Sequence, residues 1–151
     1  MDLTKRIHQY TRGAWTFDVI DSGPIDGPLV VLLHGFPETA HSWEQTSELL
    51  HEYQFRTLAI HQRGYSLNAR PQSRFQYSLS ELVEDVASLI KQLDQPVYLM
   101  GHDWGSVQSW EFVSEPLLKG RIASFTSCSG PCLDHMGHWV REQLRRPTPS
   151  H

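Results

Sequence analysis

One short stretch holds most of the chemistry in this chain: Met100-Gly101-His102-Asp103-Trp104-Gly105. It follows an apolar run and precedes a helix-like run, so its acid sits where a strand turns into a helix. Gly101 and Gly105 frame Asp103 with one residue on either side, the glycine pattern of a nucleophile elbow with aspartate in place of serine. Such an elbow lifts one strained side chain out of a tight turn, and its glycines let neighbouring backbones pass without clash. The free N–H groups of the following helix favour an anion at that spot. A carboxylate is already ionised at neutral pH, so Asp103 needs no base to remove a proton before it attacks. The exchange of serine for aspartate moves the expected chemistry from acyl transfer to attack on a saturated carbon, which leaves an alkyl ester on the protein. Water must then hydrolyse that ester, a step that needs a general base and an oxyanion hole.

A second cluster, His34-Gly35-Phe36-Pro37, directly follows the apolar run Leu29–Leu33. A loop in that place donates one oxyanion N–H and the residue after the nucleophile donates the other, which here are Phe36 and Trp104. Pro37 stiffens the loop, and a cis Phe36–Pro37 bond is expected. Each pattern alone is weak, because acids often cap helices and His-Gly turns follow many strands. Their order, and their placement after successive strands, point to one shared functional origin. His102 reads as a packing residue rather than a base, and His61 as a loop residue. Only 48 residues follow Asp103 (151 minus 103), and the chain stops before the place expected for a late catalytic histidine. The isolated chain is therefore expected to carry out the first half-reaction at best.

The elements that must hold these loops follow from periodicity. Residues 4–11 and 14–20 read as two strands parted at Gly13, and turn signals fill 21–28. Leu29 to Leu33 is unbroken apolar sequence, the pattern of a strand buried on both faces. Residues 42–53 read as a helix with Trp43, Leu49 and Leu50 turned inward, and 55–60 as a strand. A polar loop covers 61–77. Ser78 or Ser80 caps the best helix, in which Leu79, Leu82, Val83, Val86, Leu89, Ile90 and Leu93 share one face. Strand 96–100, helix 106–114 and strand 122–126 complete the series. The alternation predicts an α/β fold with a mostly parallel sheet of about six strands and helices on both faces. Ligands bind at the carboxyl ends of such strands, which is where both motif loops fall. Residues 1–146 are expected to form one partial core domain and 147–151 a disordered tail.

Composition narrows the class. With 39% hydrophobic and 20% charged residues, the 151-residue chain suits one domain with a real core. A net charge of −4 argues against a nucleic-acid surface. No apolar run approaches the roughly 20 residues that span a bilayer, and the first residues lack the apolar core of a signal peptide, so a cytoplasmic location is expected. Cys128 and Cys132 make no disulfide framework. With Asp134, His135 and His138 they have the wrong spacing for zinc and read as surface and loop residues. No metal and no organic cofactor is expected.

Together with Gln62-Arg63-Gly64-Tyr65-Ser66 and Ser129-Gly130-Pro131, the two motifs resemble, over about residues 29–131, the first half of an α/β-hydrolase of the epoxide hydrolase type. The resemblance implies Asp103 as nucleophile and Phe36 and Trp104 as backbone oxyanion donors. His34, Gly35, Pro37, Gly101, His102 and Gly105 would form the supporting frame. It further implies a small-molecule epoxide opened to a diol. Haloalkane dehalogenases share the Asp-Trp pair but usually carry Asn where Phe36 stands, so that alternative is the weaker one. The family's cap tyrosines, base histidine and acid partner would lie beyond His151. One departure is His61, where the family usually has Asp. The stretch 121–146 is similar, more loosely, to hydrolase domains fused to short-chain dehydrogenases in actinobacteria. A third reading is a non-catalytic fragment or interaction protein, since a sheet ending at its sixth strand offers an unpaired edge to a partner.

Overall fold

The computed structural model describes residues 1–114 and 116–145; the expected tail at 147–151 lies outside them. Strands β1 (Gln9–Arg12), β2 (Trp15–Ser22), β3 (Leu29–Leu33), β4 (Arg56–Ile60), β5 (Val97–His102) and β6 (Ile122–Cys128) form one sheet in the order β1-β2-β4-β3-β5-β6. β1 and β2 run antiparallel to their neighbours, whereas β4, β3, β5 and β6 are mutually parallel. The helices are α1 (Glu44–Glu52), α2 (Leu79–Gln92), α3 (Trp104–Ser114) and α4 (Leu133–Arg145). The mostly parallel α/β architecture is thus the one the alternation predicts.

β3 shows why the order holds. All five of its residues are buried, and successive side chains point to opposite faces. Leu29, Val31 and Leu33 join Val86, Leu89, Ile90 and Phe112 in the core under α2 and α3. Val30 and Leu32 join Ala40, Trp43 and Ala59 on the α1 face. The parallel ladders set Leu33 beside Ile60 on one side and Gly101 on the other. The carboxyl ends of β3, β4 and β5 therefore lie level, and their loops meet. α2 begins where expected, with Ser78 accepting the Glu81 N–H at its start.

Several expectations need correction. The first strand starts at Gln9 rather than residue 4, because the carbonyls of Leu3 and Lys5 accept from the Arg56 guanidinium instead of a ladder. The helix expected over 42–53 splits into a 3-10 turn at Ala40–Trp43 followed by α1, and Leu49 is exposed rather than buried. α3 starts at Trp104, two residues earlier than 106, so it abuts the acid directly. The largest miss is α4, where surface loop was expected. Asp134 sits in its first turn, and its Met136, Trp139, Val140 and Leu144 are exposed. β6 pairs with no second strand among the described residues. Among those residues, no helix is long and apolar enough to cross a membrane.

Candidate active site

Asp103 stands between β5 and α3 with φ at +52°, the left-handed region that side chains other than glycine rarely adopt. Hydrogen bonds pin it there. Its N–H donates to the Cys128 carbonyl at 2.9 Å, while its own carbonyl accepts from Ser106 and Val107 at 3.0 and 2.9 Å. The strain is thereby maintained by β6 on one side and α3 on the other. The carboxylate projects beside the Gly35–Phe36 turn, where the Phe36 N–H donates to Asp103 Oδ1 at 2.9 Å. That bond holds the carboxyl below the usual carboxylate range against the opposing effect of burial. The Trp104 N–H and the charge of His102 add to the lowering. Phe36, one of the two expected backbone donors, thus reaches the carboxylate directly.

Two glycines make this approach possible. A methyl group on Gly35 would lie 2.5 Å from Asp103 Cβ and 2.7 Å from Oδ1. One on Gly105 would overlap the Leu33 carbonyl and lie 2.7 Å from the His34 oxygen, so α3 could not start so close to β3. Gly101 is the β5 residue level with Leu33. The Phe36–Pro37 bond is cis, as expected.

Around the acid, apolar side chains stand in the open. Phe36 is 71% exposed and Trp104 54%. They border a cleft of about 330 Å³ that also takes in Tyr65 and Tyr77. Burial and then the Asp103 charge push the Tyr65 hydroxyl up, so it remains protonated at neutral pH. His34 is buried, with its ring edge-on to Tyr65 at 4.6 Å, and burial lowers its pKa, leaving it neutral. His102, expected to pack, is instead 40% exposed, with Nδ1 3.1 Å from Glu38 Oε2. His61 faces the His41 ring at 5.3 Å.

Sequence reasoning missed Glu38, although a carboxylate directly after Pro37 was the available signal. It also missed the brace under the elbow, where the Gly130 carbonyl accepts from Ser106 Oγ, Ser127 Oγ and Trp110 Nε1 at 2.9, 3.0 and 3.0 Å. Cys128 closes β6 and Cys132 precedes α4, and both thiols are free. Among the described residues, no group of three or more His, Cys, Asp or Glu side chains converges as metal ligands would.

Residues 28–147 match the family model of the alpha/beta hydrolase fold, and the chain belongs to that family. Its relatives narrow the likeness. It is 40% identical over 131 residues to a Mycobacterium tuberculosis protein named probable oxidoreductase EphD, a match spanning 85% of this chain and 22% of that one. It is 40% identical over 103 residues to epoxide hydrolase B of the same organism, covering 67% of this chain and 29% of the relative. Among solved structures, an epoxide hydrolase variant from Vigna radiata superposes with a TM-score of 0.72 at 30% identity, covering 82% of this chain and 38% of its own. Epoxide hydrolase A from Mycobacterium thermoresistibile gives 0.73 at 26% identity, over 91% and 44%. The chain therefore spans between about a fifth and somewhat under half the length of these relatives.

Proposed function

We propose that this chain is the nucleophile-bearing part of a hydrolase that opens small apolar epoxides through a covalent ester on Asp103. The observation that carries this reading is the carboxylate itself, raised on a left-handed elbow and held at 2.9 Å by the Phe36 N–H. The oxygen bonded to Phe36 stays as the ester carbonyl oxygen, which leaves the other to attack the ring carbon. As that C–O bond forms, the ring C–O bond breaks, and the released alkoxide takes a proton from solvent. When water adds to the ester carbonyl, the developing oxyanion faces the Phe36 N–H, with the Trp104 N–H as the second donor of this reading. The exposed Phe36 and Trp104 rings suit an apolar substrate.

The family resemblance and the names of the relatives support the epoxide over a haloalkane. Among the described residues, none is assigned as the base for ester hydrolysis. His102, whose charge bears on Asp103, is held by Glu38. The expected behaviour is thus a burst of one ester per chain without sustained diol formation.

Parallel incubations with styrene oxide and with a chloroalkane of the same skeleton test this. The reading requires mass addition from the epoxide at one equivalent. Sustained diol production by pure chain would overturn the expectation of a single burst. Halide release with no epoxide adduct would replace the substrate class.

A further inference from the structure

Beneath the oxyanion turn lies a buried polar relay that the ester chemistry does not itself use. Gln108 on α3 donates from Nε2 to Gln62 Oε1. Gln62, just past β4, donates from Nε2 to the His34 carbonyl at 2.6 Å and from its backbone N–H to His34 Nε2 at 3.3 Å. The second bond makes His34 Nε2 the acceptor, so the proton of the neutral ring is on Nδ1, which donates to the Gly35 carbonyl at 2.8 Å. That carbonyl shares a rigid peptide plane with the Phe36 N–H, and in a trans peptide the two point in opposite directions. Holding the oxygen on one side therefore aims the N–H at Asp103 on the other. His34, Gln62 and Gln108 are 1%, 8% and 1% exposed and form part of the wall of the cleft.

We propose that Gln62 and Gln108 are positioning residues: acting through His34, they lock the Gly35–Phe36 peptide against rotation and keep its N–H on Asp103. This rests on the reading of Asp103 as nucleophile and of Phe36 as an oxyanion donor. The relay fixes the orientation of each amide in turn. Because Gln62 Nε2 faces His34, Gln62 Oε1 must receive a donor. Gln108 supplies it, although its own Oε1 then has no protein partner among the described residues. For packing alone leucine would serve without that cost. A glutamine here is better explained by the direction it imposes on Gln62.

The test reads the unreacted chain, so it can fail while Asp103 still forms its ester, and the ester can fail to form while the relay stands. In the ¹⁵N-labelled 151-residue protein, the Phe36 amide resonance is followed as Asp103 is titrated by NMR. The unaltered chain should show a downfield Phe36 amide that moves with the ionisation of Asp103. The pair Gln62→Leu with Gln108→Leu touches nothing on Asp103 itself, and its cost is the His34 carbonyl left without its side-chain donor. It should nonetheless shift the Phe36 amide upfield, speed its exchange on the order of tenfold and raise the Asp103 midpoint. Gln108→Leu alone should move all three readouts in the same direction by less, and it serves if the pair does not fold. A Phe36 amide and an Asp103 midpoint unchanged in either folded variant would overturn the proposal.

Discussion

Gly35→Ala perturbs the site at one defined point. The added methyl would lie 2.5 Å from Asp103 Cβ, 2.7 Å from Oδ1 and 3.0 Å from Cγ. Unstrained contacts between carbons need about 3.5–4.0 Å, so the turn must retreat from Asp103 by roughly 1 Å. The Phe36 N–H now reaches Oδ1 at 2.9 Å, and a retreat of that size takes it out of the ordinary range of about 2.7–3.2 Å. Misplacement of reacting groups by roughly 1 Å costs on the order of 10²-fold in rate. Alkylation of Asp103 by a reactive epoxide, followed by intact mass against time, should slow by about that factor.

The pH profile should move as well. The Phe36 hydrogen bond is the foremost cause of the lowered Asp103 pKa. In the unaltered chain, alkylation should therefore persist into acid below the usual carboxylate range and fail only as Asp103 is protonated. In Gly35→Ala that acid limb should rise toward the ordinary range. Gly137→Ala is the control, since a methyl there meets nothing within 4 Å. A Gly35→Ala chain that is folded, alkylates at the original rate and keeps its acid limb would refute the idea that the turn and the acid work as one unit.

Two further outcomes test what holds the site in place. Arg56 and Asp21 are buried together, and all five guanidinium hydrogens are used, on Asp21 and on the carbonyls of Leu3, Lys5 and Ile25. Arg56→Met should destabilise the fold by about 3–5 kcal/mol in urea unfolding, because Asp21 loses its buried partner and keeps only the partly exposed Arg6 and the Ile7 N–H; little loss would show that the N-terminal segment is not anchored there. Burial would raise the Asp21 pKa, but Arg56, the Ile7 N–H and Arg6 outweigh it and lower it. Its stabilisation is therefore full above the unfolded aspartate pKa and should fade as pH falls through the lowered folded value. Leu32→Ala, which opens space between β3 and the α1 face, should cost about 2–5 kcal/mol in the same assay. A cost well below that range would mean the α1 face closes over the gap.

The parts of the fold that read clearly from sequence are those whose cause is local. Leu29 to Leu33 could only be a strand covered on both faces, and Ser78 with the stripe through Val86, Leu89 and Ile90 could only be an amphipathic helix. The glycine spacing around Asp103 fixed a strand-to-helix turn because any side chain at Gly105 would strike β3.

Where the cause lay far along the chain, the sequence was silent. Residues 4–8 look strand-like, but Arg56, some 50 positions on, takes up the Lys5 carbonyl. Glu38 and His102 meet only because the β3–β5 register levels two loops 64 residues apart. α4 escaped notice for a different reason. Its Met136, Val140 and Leu144 repeat at helical spacing, but all three are exposed, so no buried face marks the helix.

The central claim is that Asp103 becomes the ester. After incubation with styrene oxide, peptide mapping of the 151-residue chain should find the mass of one epoxide on the peptide carrying Asp103. Mild alkaline hydrolysis in ¹⁸O-water should remove that mass, and Asp103→Asn should show no adduct on that peptide. Modification elsewhere with Asp103 untouched, or equal labelling of the Asp103→Asn chain, would contradict it.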